Sequence, residues 1–349
     1  MKVLIVEDAL NSLQGHWFQY ISDLVSDGRK AGYDIEVAVP RDASPEVLDR
    51  LPCHPILSKS LFGQKKDTAS LLNSLKRILG HNFSLYRDLR RFLDKGHSFD
   101  LIISTTTRVD HLFAYGFLLW RSPWNIRKLV LIFIDTIGTY SKDHSEIHFS
   151  NKLLLLKFGM QLLRFLRRGN QLILATESEG VAQQYRLLSG AELNLLPHVT
   201  VLPPMDSLVG NGAVVPTDPT LPLLFATYGF TRYDKGLDVL QEALKLRSEL
   251  AKSTQYRFVL QWTGDYQLPD GSWIRKDPFL VASPQVSYIP PFLESNEYHE
   301  WIGRTSIIVL PYRRGFYHDR LSRVAIDAAM VGIPIVYPKG TWLESFAIN

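Results

Sequence analysis

Two cations three residues apart, Arg232 and Lys235, lie in "ATYGFTRYDKGLDVLQEAL" (226–244) between Gly229 and Gly236, where an apolar run gives way to a helical pattern. Glycine permits close backbone approach, a helix start offers unbonded amides, and neighbouring cations neutralise a polyanion, so this stretch has the parts of a phosphate-binding loop. The same parts also suit a plain, solvated helix start, because such loops recur throughout α/β proteins. A second stretch, "HDRLSRVAIDAAMVGIPIVYPKG" (318–340), carries Asp319, Ser322, Arg323 and Asp327. Ser322 can cap a helix over 323–331, with Gly332 at the C′ position and Pro334 past it, so its hydroxyl and the following amides form a second candidate anion site. Asp327 falls about 500° round that helix from Ser322 and need not point the same way. Asp319 precedes the cap, where a loop acid paired with Arg320 or Arg323 is the ordinary alternative.

Further candidates stand in the first half. Gly15 and His16 follow the first apolar run in "LQGHW", Asp135 closes the run in "LIFIDTIGTY", and Glu177 and Ser178 stand at a helix start in "ATESEG". A surface histidine, a turn cap and a helix cap are the respective alternatives. No Ser-His-Asp set is evident in the sequence.

The elements that must position these residues are read from the apolar runs. "KVLIV" (2–6), "DIEVAV" (34–39), "FDLIIS" (99–104), "KLVLIFID" (128–135) and "NQLILAT" (170–176) are rich in Val, Ile and Leu and separated by helical patterns such as Trp17, Ile21, Leu24 and Val25. That is the pattern of a parallel sheet covered on both faces. "VGNGAVVPTDPTLP" (209–222) has no periodicity and reads as a linker. A second alternation follows: strands at 223–229, 256–264, 286–290, 305–312 and 334–338, with a helix over 235–250. The expectation is α/β: two Rossmann-like doubly wound domains, 1–205 and 223–349, joined by 206–222 and facing a cleft lined by strand C-terminal ends.

Bulk properties narrow the function. The 349 residues are 46% apolar and 21% charged, which suits two folded domains and excludes a disordered chain. A net charge of +4 without a long Lys/Arg run argues against a nucleic-acid partner. Cys53 stands alone, and no Cys/His cluster has metal-ligand spacing, so neither a disulfide nor a metal is expected. "MKVLIV" is too short for a signal peptide and no apolar run reaches about 18 residues, which points to the cytoplasm. The helix pattern at 151–170 has five cations and no acid. It reads either as a covering helix with a solvated basic face or as a peripheral contact with an anionic membrane.

These motifs together resemble the retaining nucleotide-sugar glycosyltransferases of the GT-B fold, the family 4 or group 1 type. "YGFTRYDKGLDVLQEAL" is similar to that group's G-x-x-R-x-x-K-G-x-x-x-L loop and helix, and "YHDRLSRVAIDAAMVGIPIV" to its paired-acid region followed by A-x-G-x-P-V-V. "VTVLPPMDSL" and "GHWFQYISDLVSDGRKAGYDIEVAVP" resemble the segment leaving the first domain and its first loop, helix and strand. The resemblance implies that Arg232 and Lys235 bind the diphosphate of a UDP-, GDP- or ADP-sugar, with Gly229 beside them. It puts Ser322, Arg323 and the helix start at the distal phosphate, Asp327 at the ribose and Asp319 in the first acid's place. His16, Gly15 and Asp135 would lie near the sugar and a glycan, lipid-linked or small-molecule acceptor. No cofactor is implied. The sequence departs from the pattern where Phe230 directly follows the glycine, where both acids are Asp, and where "Tyr317-x-x-Arg320-x-Ser322" replaces Gly-Phe-Gly. These departures keep open a catalytically silent binding subunit, and the two-domain plan also admits a sugar-nucleotide epimerase. The chain also stops at "TWLESFAIN", where relatives continue, so it is either a short member or a truncated one.

Overall fold

The computed structural model describes residues 1–13, 16–58, 60, 71–121, 126–141, 146–166, 171–197, 222–247 and 254–348. The chain divides into two compact units, Met1–Pro197 and His198–Asn349. The first unit therefore closes at Pro197, while the expected linker, up to residue 221, falls outside the described residues.

Unit 1 is built on β1 (Lys2–Val6), β2 (Asp34–Pro40), β3 (Cys53–Leu57), β4 (Phe99–Ser104) and β5 (Ile126–Ile132). The short strands β6 (Thr139–Tyr140) and β7 (Ile147–His148) form a separate antiparallel pair, and β8 (Leu172–Thr176) and β9 (Asn194–Leu195) complete the main sheet. Its order is β3-β2-β1-β4-β5-β8-β9, parallel throughout. β1 is flanked on both sides by parallel strands, and for that reason "KVLIV" is an unbroken apolar run rather than an alternation. α1 (His16–Lys30) returns from β1 to β2 and buries Ile21 and Val25. β3 contains Pro55 and sits at the sheet edge, where a missing N–H costs no ladder bond.

α2 (Pro45–Arg50), α3 (Leu71–Leu93), α4 (Val109–Arg121), α5 (Leu154–Leu166) and α6 (Glu179–Ser189) complete the unit. Right-handed crossovers place α3, α4 and α5 in one layer, and neighbouring members pack against each other. Gly159 makes the α4–α5 contact close, since a Cβ there would lie 3.0 Å from the Leu112 side chain.

Unit 2 has β10 (Leu223–Thr227), β11 (Tyr256–Gln261), a small antiparallel pair β12 (Tyr266–Gln267) and β13 (Trp273–Ile274), then β14 (Val286–Ile289), β15 (Ile307–Val309) and β16 (Ile335–Val336). The parallel sheet has the order β14-β11-β10-β15-β16. α7 (Leu237–Leu246), α8 (Pro278–Val281), α9 (Ser295–Arg304), α10 (Arg314–Tyr317), α11 (Arg323–Met330) and α12 (Trp342–Ile348) accompany it. The α/β, doubly wound expectation holds for both units. In each parallel sheet the strand order reverses beside the first strand, between β1 and β4 and between β10 and β15. Loops leaving the C-terminal ends of such strands form the crevice where these sheets bind ligands.

Candidate functional site

The reversal point of unit 2 gathers the cationic loop and the second anion site. After β10, Gly229 adopts φ 105° and its N–H donates to Gln261 Oε1 at 2.7 Å. The expected helix start at Lys235 is shifted: Tyr233–Lys235 is a 3-10 turn, Gly236 stands at φ 68°, and α7 begins at Leu237. Gly236 is required there by space as well as conformation, because a Cβ would lie 1.8 Å from the Pro311 carbonyl oxygen. The first loop is thereby pressed against the segment leaving β15.

Lys235 Nζ donates to Tyr312 Oη at 2.8 Å and lies 4.1 and 4.9 Å from the ring centroids of Tyr312 and Tyr317. Tyr312 Oη is in turn 2.9 Å from Ser322 Oγ, and Ser322 caps α11 by accepting from the Ala325 N–H at 3.3 Å. One phenol thus joins the lysine to the cap of the second helix. Asp234, buried, takes Arg232 at 2.9 Å and Arg320 at 3.4 Å. Arg313 pairs with Asp238 and its N–H donates to the Asp234 carbonyl at 3.0 Å. Burial, reinforced by Arg232 and opposed by Asp234, pulls the Lys235 ammonium down to about 7. Arg232, Lys235 and Arg320 face a single carboxylate, so the site carries excess positive charge that a bound anion would relieve.

Both acids of the second stretch are buried. Asp327, which the resemblance puts at the ribose, is 1% exposed and accepts from Tyr298 Oη on α9 at 3.0 Å. Asp319 is buried and contacts the adjacent His318 at 2.9 Å, while Arg320, one of its two expected partners, turns to Asp234. Arg323 opens α11 in a half-buried position. Sequence reading passed over Asp234, although "RYDKG" sets it between the two cations it named, and Tyr312, which closes the strand expected at 305–312.

The reversal point of unit 1 holds a second polar cluster, built from residues not flagged beforehand. Glu7 and Asp8 follow β1, and Thr105 to Thr107 follow β4. Glu7 Oε2 accepts from Thr105 Oγ1 at 2.5 Å and Thr106 Oγ1 at 2.8 Å. Asp8 Oδ2 lies 3.0 Å from His81 Nε2 on α3 and 3.2 Å from His111 Nε2 on α4. Burial pushes the Asp8 carboxyl up, but attraction to His111 and hydrogen bonds from His111 and His81 outweigh it and hold it well below the carboxylate range. Burial pulls His111 down, yet Asp8 more than compensates and raises it. Glu7 is raised, chiefly by burial and then by the charge of Asp8.

Among the described residues, Asp8, His81 and His111 are the one group with three possible metal-ligand atoms, all within 4.8 Å of one another. Their spacing, 8, 81 and 111, lies on three elements and so matches no metal motif. In the neutral ring the Arg108 backbone N–H donates to His111 Nδ1 at 3.2 Å, and Nε2 then carries the proton that faces Asp8.

The other first-half candidates are more dispersed. Asp135 lies three residues past the end of β5 rather than ending the strand, and pairs with Arg108 at 2.8 Å. Ser178 caps α6 by accepting from the Val181 N–H, and the adjacent Glu177 is buried. Gly15 and the His16 side chain lie outside the described residues.

No protein-family model matches this chain, and no curated protein matches it. Solved structures do match its fold. The catalytic domain of starch synthase IV from Arabidopsis thaliana, bound to ADP and acarbose, is 11% identical with a TM-score of 0.60, over 99% of this chain and 84% of that one. The UDP-GlcNAc 2-epimerase from Neisseria meningitidis, bound to UDP-GlcNAc, is 13% identical with a TM-score of 0.51, over 99% and 85%. An alpha-glucosyltransferase in complex with UDP and a 13-mer DNA is 9% identical with a TM-score of 0.50, over 97% and 80%. The chain has the two-Rossmann α/β fold of the GT-B glycosyltransferases. Its fold neighbours include both glycosyltransferases and a sugar-nucleotide epimerase.

Proposed function

We propose that this chain transfers a sugar from a nucleoside-diphosphate sugar to a glycan, lipid-linked or small-molecule acceptor, with retention and with protein cations in place of a metal. The observation that carries the reading is the chain Lys235–Tyr312–Ser322 at the reversal point of unit 2, with Arg232 and Arg320 alongside. An ammonium, two guanidiniums and a capped helix start form a site for a doubly phosphorylated group. Charge builds on the departing diphosphate as the glycosidic bond breaks, and donors fixed in advance stabilise it at that moment. Arg232 and Lys235 would hold the diphosphate, and the amides following Ser322 would meet its distal phosphate. Asp327 is occupied by Tyr298 and so anchors α11 to α9; it is not assigned to ribose.

The epimerase is the second reading, favoured by the UDP-GlcNAc-bound neighbour, and a silent binding subunit is the third. Incubation with UDP-, GDP- and ADP-sugars separates them. The expected result is nucleotide released in step with acceptor glycosylation. An isomerised sugar would establish the epimerase, and saturable binding without turnover the silent subunit.

A further inference from the structure

The outer face of the α3–α5 layer exposes large apolar side chains; among the described residues of the three helices no acid is exposed, and the exposed Asp94 just past α3 is paired with Arg90. Phe158 and Phe165 on α5 are 59% and 85% exposed, and Phe83 on α3 and Phe117 and Trp120 on α4 are exposed as well. The three helices are bound into one surface: Phe117 meets Tyr86 of α3, Phe158 meets Phe113 of α4, and Gly116 lets Leu162 and Leu166 approach. Their carboxylates are Asp88 and Asp110, both buried and ion-paired, to Arg87 and Arg77 among others. Lys76, Arg121 and Lys157 are exposed on the same helices, and Arg121 lies 5.7 Å from the Trp120 ring centroid. No helix among the described residues is long and apolar enough to cross a membrane.

We infer that this face docks on the surface of an anionic lipid bilayer, with Phe158, Phe165 and Trp120 entering the headgroup region and the flanking cations meeting lipid phosphates. The charge asymmetry selects this occupant. A protein partner of ordinary composition would tolerate or require acids on the face, whereas negatively charged headgroups are repelled by every exposed carboxylate and attracted by each cation. Projecting phenylalanines on a layer of helices suit acyl chains better than the grooves of a nucleic acid. The inference rests on this surface alone and not on the donor site of unit 2.

Flotation of the full chain with vesicles of phosphatidylcholine, or of phosphatidylcholine with one part in about three phosphatidylglycerol, tests it. The bound fraction should be at least about tenfold higher on the anionic vesicles and fall with added salt. The double variant Phe158→Ser, Phe165→Ser should lose at least about tenfold of that binding. Phe165 is exposed but Phe158 also meets Phe113, so the melt of the double variant is compared with the parent; if it falls, Phe165→Ser alone and Lys157→Glu, both at exposed positions, give the same reading. Equal flotation on both vesicles, no flotation, or unchanged flotation of the variants overturns the inference. So does a dimer in light scattering that the double variant abolishes without any vesicle binding, or retention on an oligonucleotide in place of vesicles.

Discussion

Replacing Lys235 by Ala should lower turnover with a competent donor by roughly two to three orders of magnitude, mostly in kcat. The reasoning starts from position. Nζ is held against Tyr312 Oη and over two phenol rings, and no other ammonium among the described residues occupies that place. Arg232 and Arg320 are partly spent on Asp234, so they would keep binding a diphosphate while the donor aimed at its developing charge is gone. That separation should leave KM changed by far less than kcat. Lys235→Arg should not rescue fully, because a longer, planar guanidinium would stack on the rings and spread its charge away from the point that Nζ holds. Steady-state release of nucleotide measures both constants, and near-normal kcat in Lys235→Ala would remove the mechanism.

Replacing Asp8 by Ala should destabilise unit 1 by about 3–5 kcal/mol, since it strips a buried carboxylate from its hydrogen bond with His111 and from the charge contact with His81. The gentler Asp8→Asn isolates the charge. The depressed Asp8 carboxyl contributes stability above its unfolded value near 3.9, lost as the pH falls through its folded value. The raised His111 contributes below its unfolded value near 6.5, lost as the pH rises through its folded value. The stability gap between the native chain and Asp8→Asn should therefore be widest from about pH 4 to neutrality and narrow at both extremes. Denaturant titrations at several pH values measure it. A gap constant from pH 3 to 9 would show that folding shifts the titration of neither group, and would overturn the pairing.

The parallel strands were legible in the sequence because buried on both faces they are unbroken apolar runs, and such runs declare themselves without any tertiary context. β3 was not, because a proline inside five residues argues against a strand until the edge position is known. In unit 2 the loop residues Gly229, Arg232, Lys235 and Ser322 were legible because they lie in two contiguous stretches whose spacing carries the chemistry. Tyr312 was missed because what matters about it, a hydroxyl shared between two loops, exists only after folding. The same holds for Asp8, His81 and His111, which lie on three elements and meet only when α3 crosses behind the sheet. Asp327 shows the converse: its place on α11 was readable, but the phenol that claims it comes from α9.

Gly236 bears on the thermodynamics of ligand capture. With the backbone of the first loop seated on the Pro311 carbonyl, the two loops cannot slide past one another without breaking a contact that only glycine allows. The conformational entropy of arranging the site is thus lost when unit 2 folds and not when a ligand arrives. An anion that enters it forfeits mainly its own freedom, so its affinity reports charge and hydration with little contribution from ordering the protein.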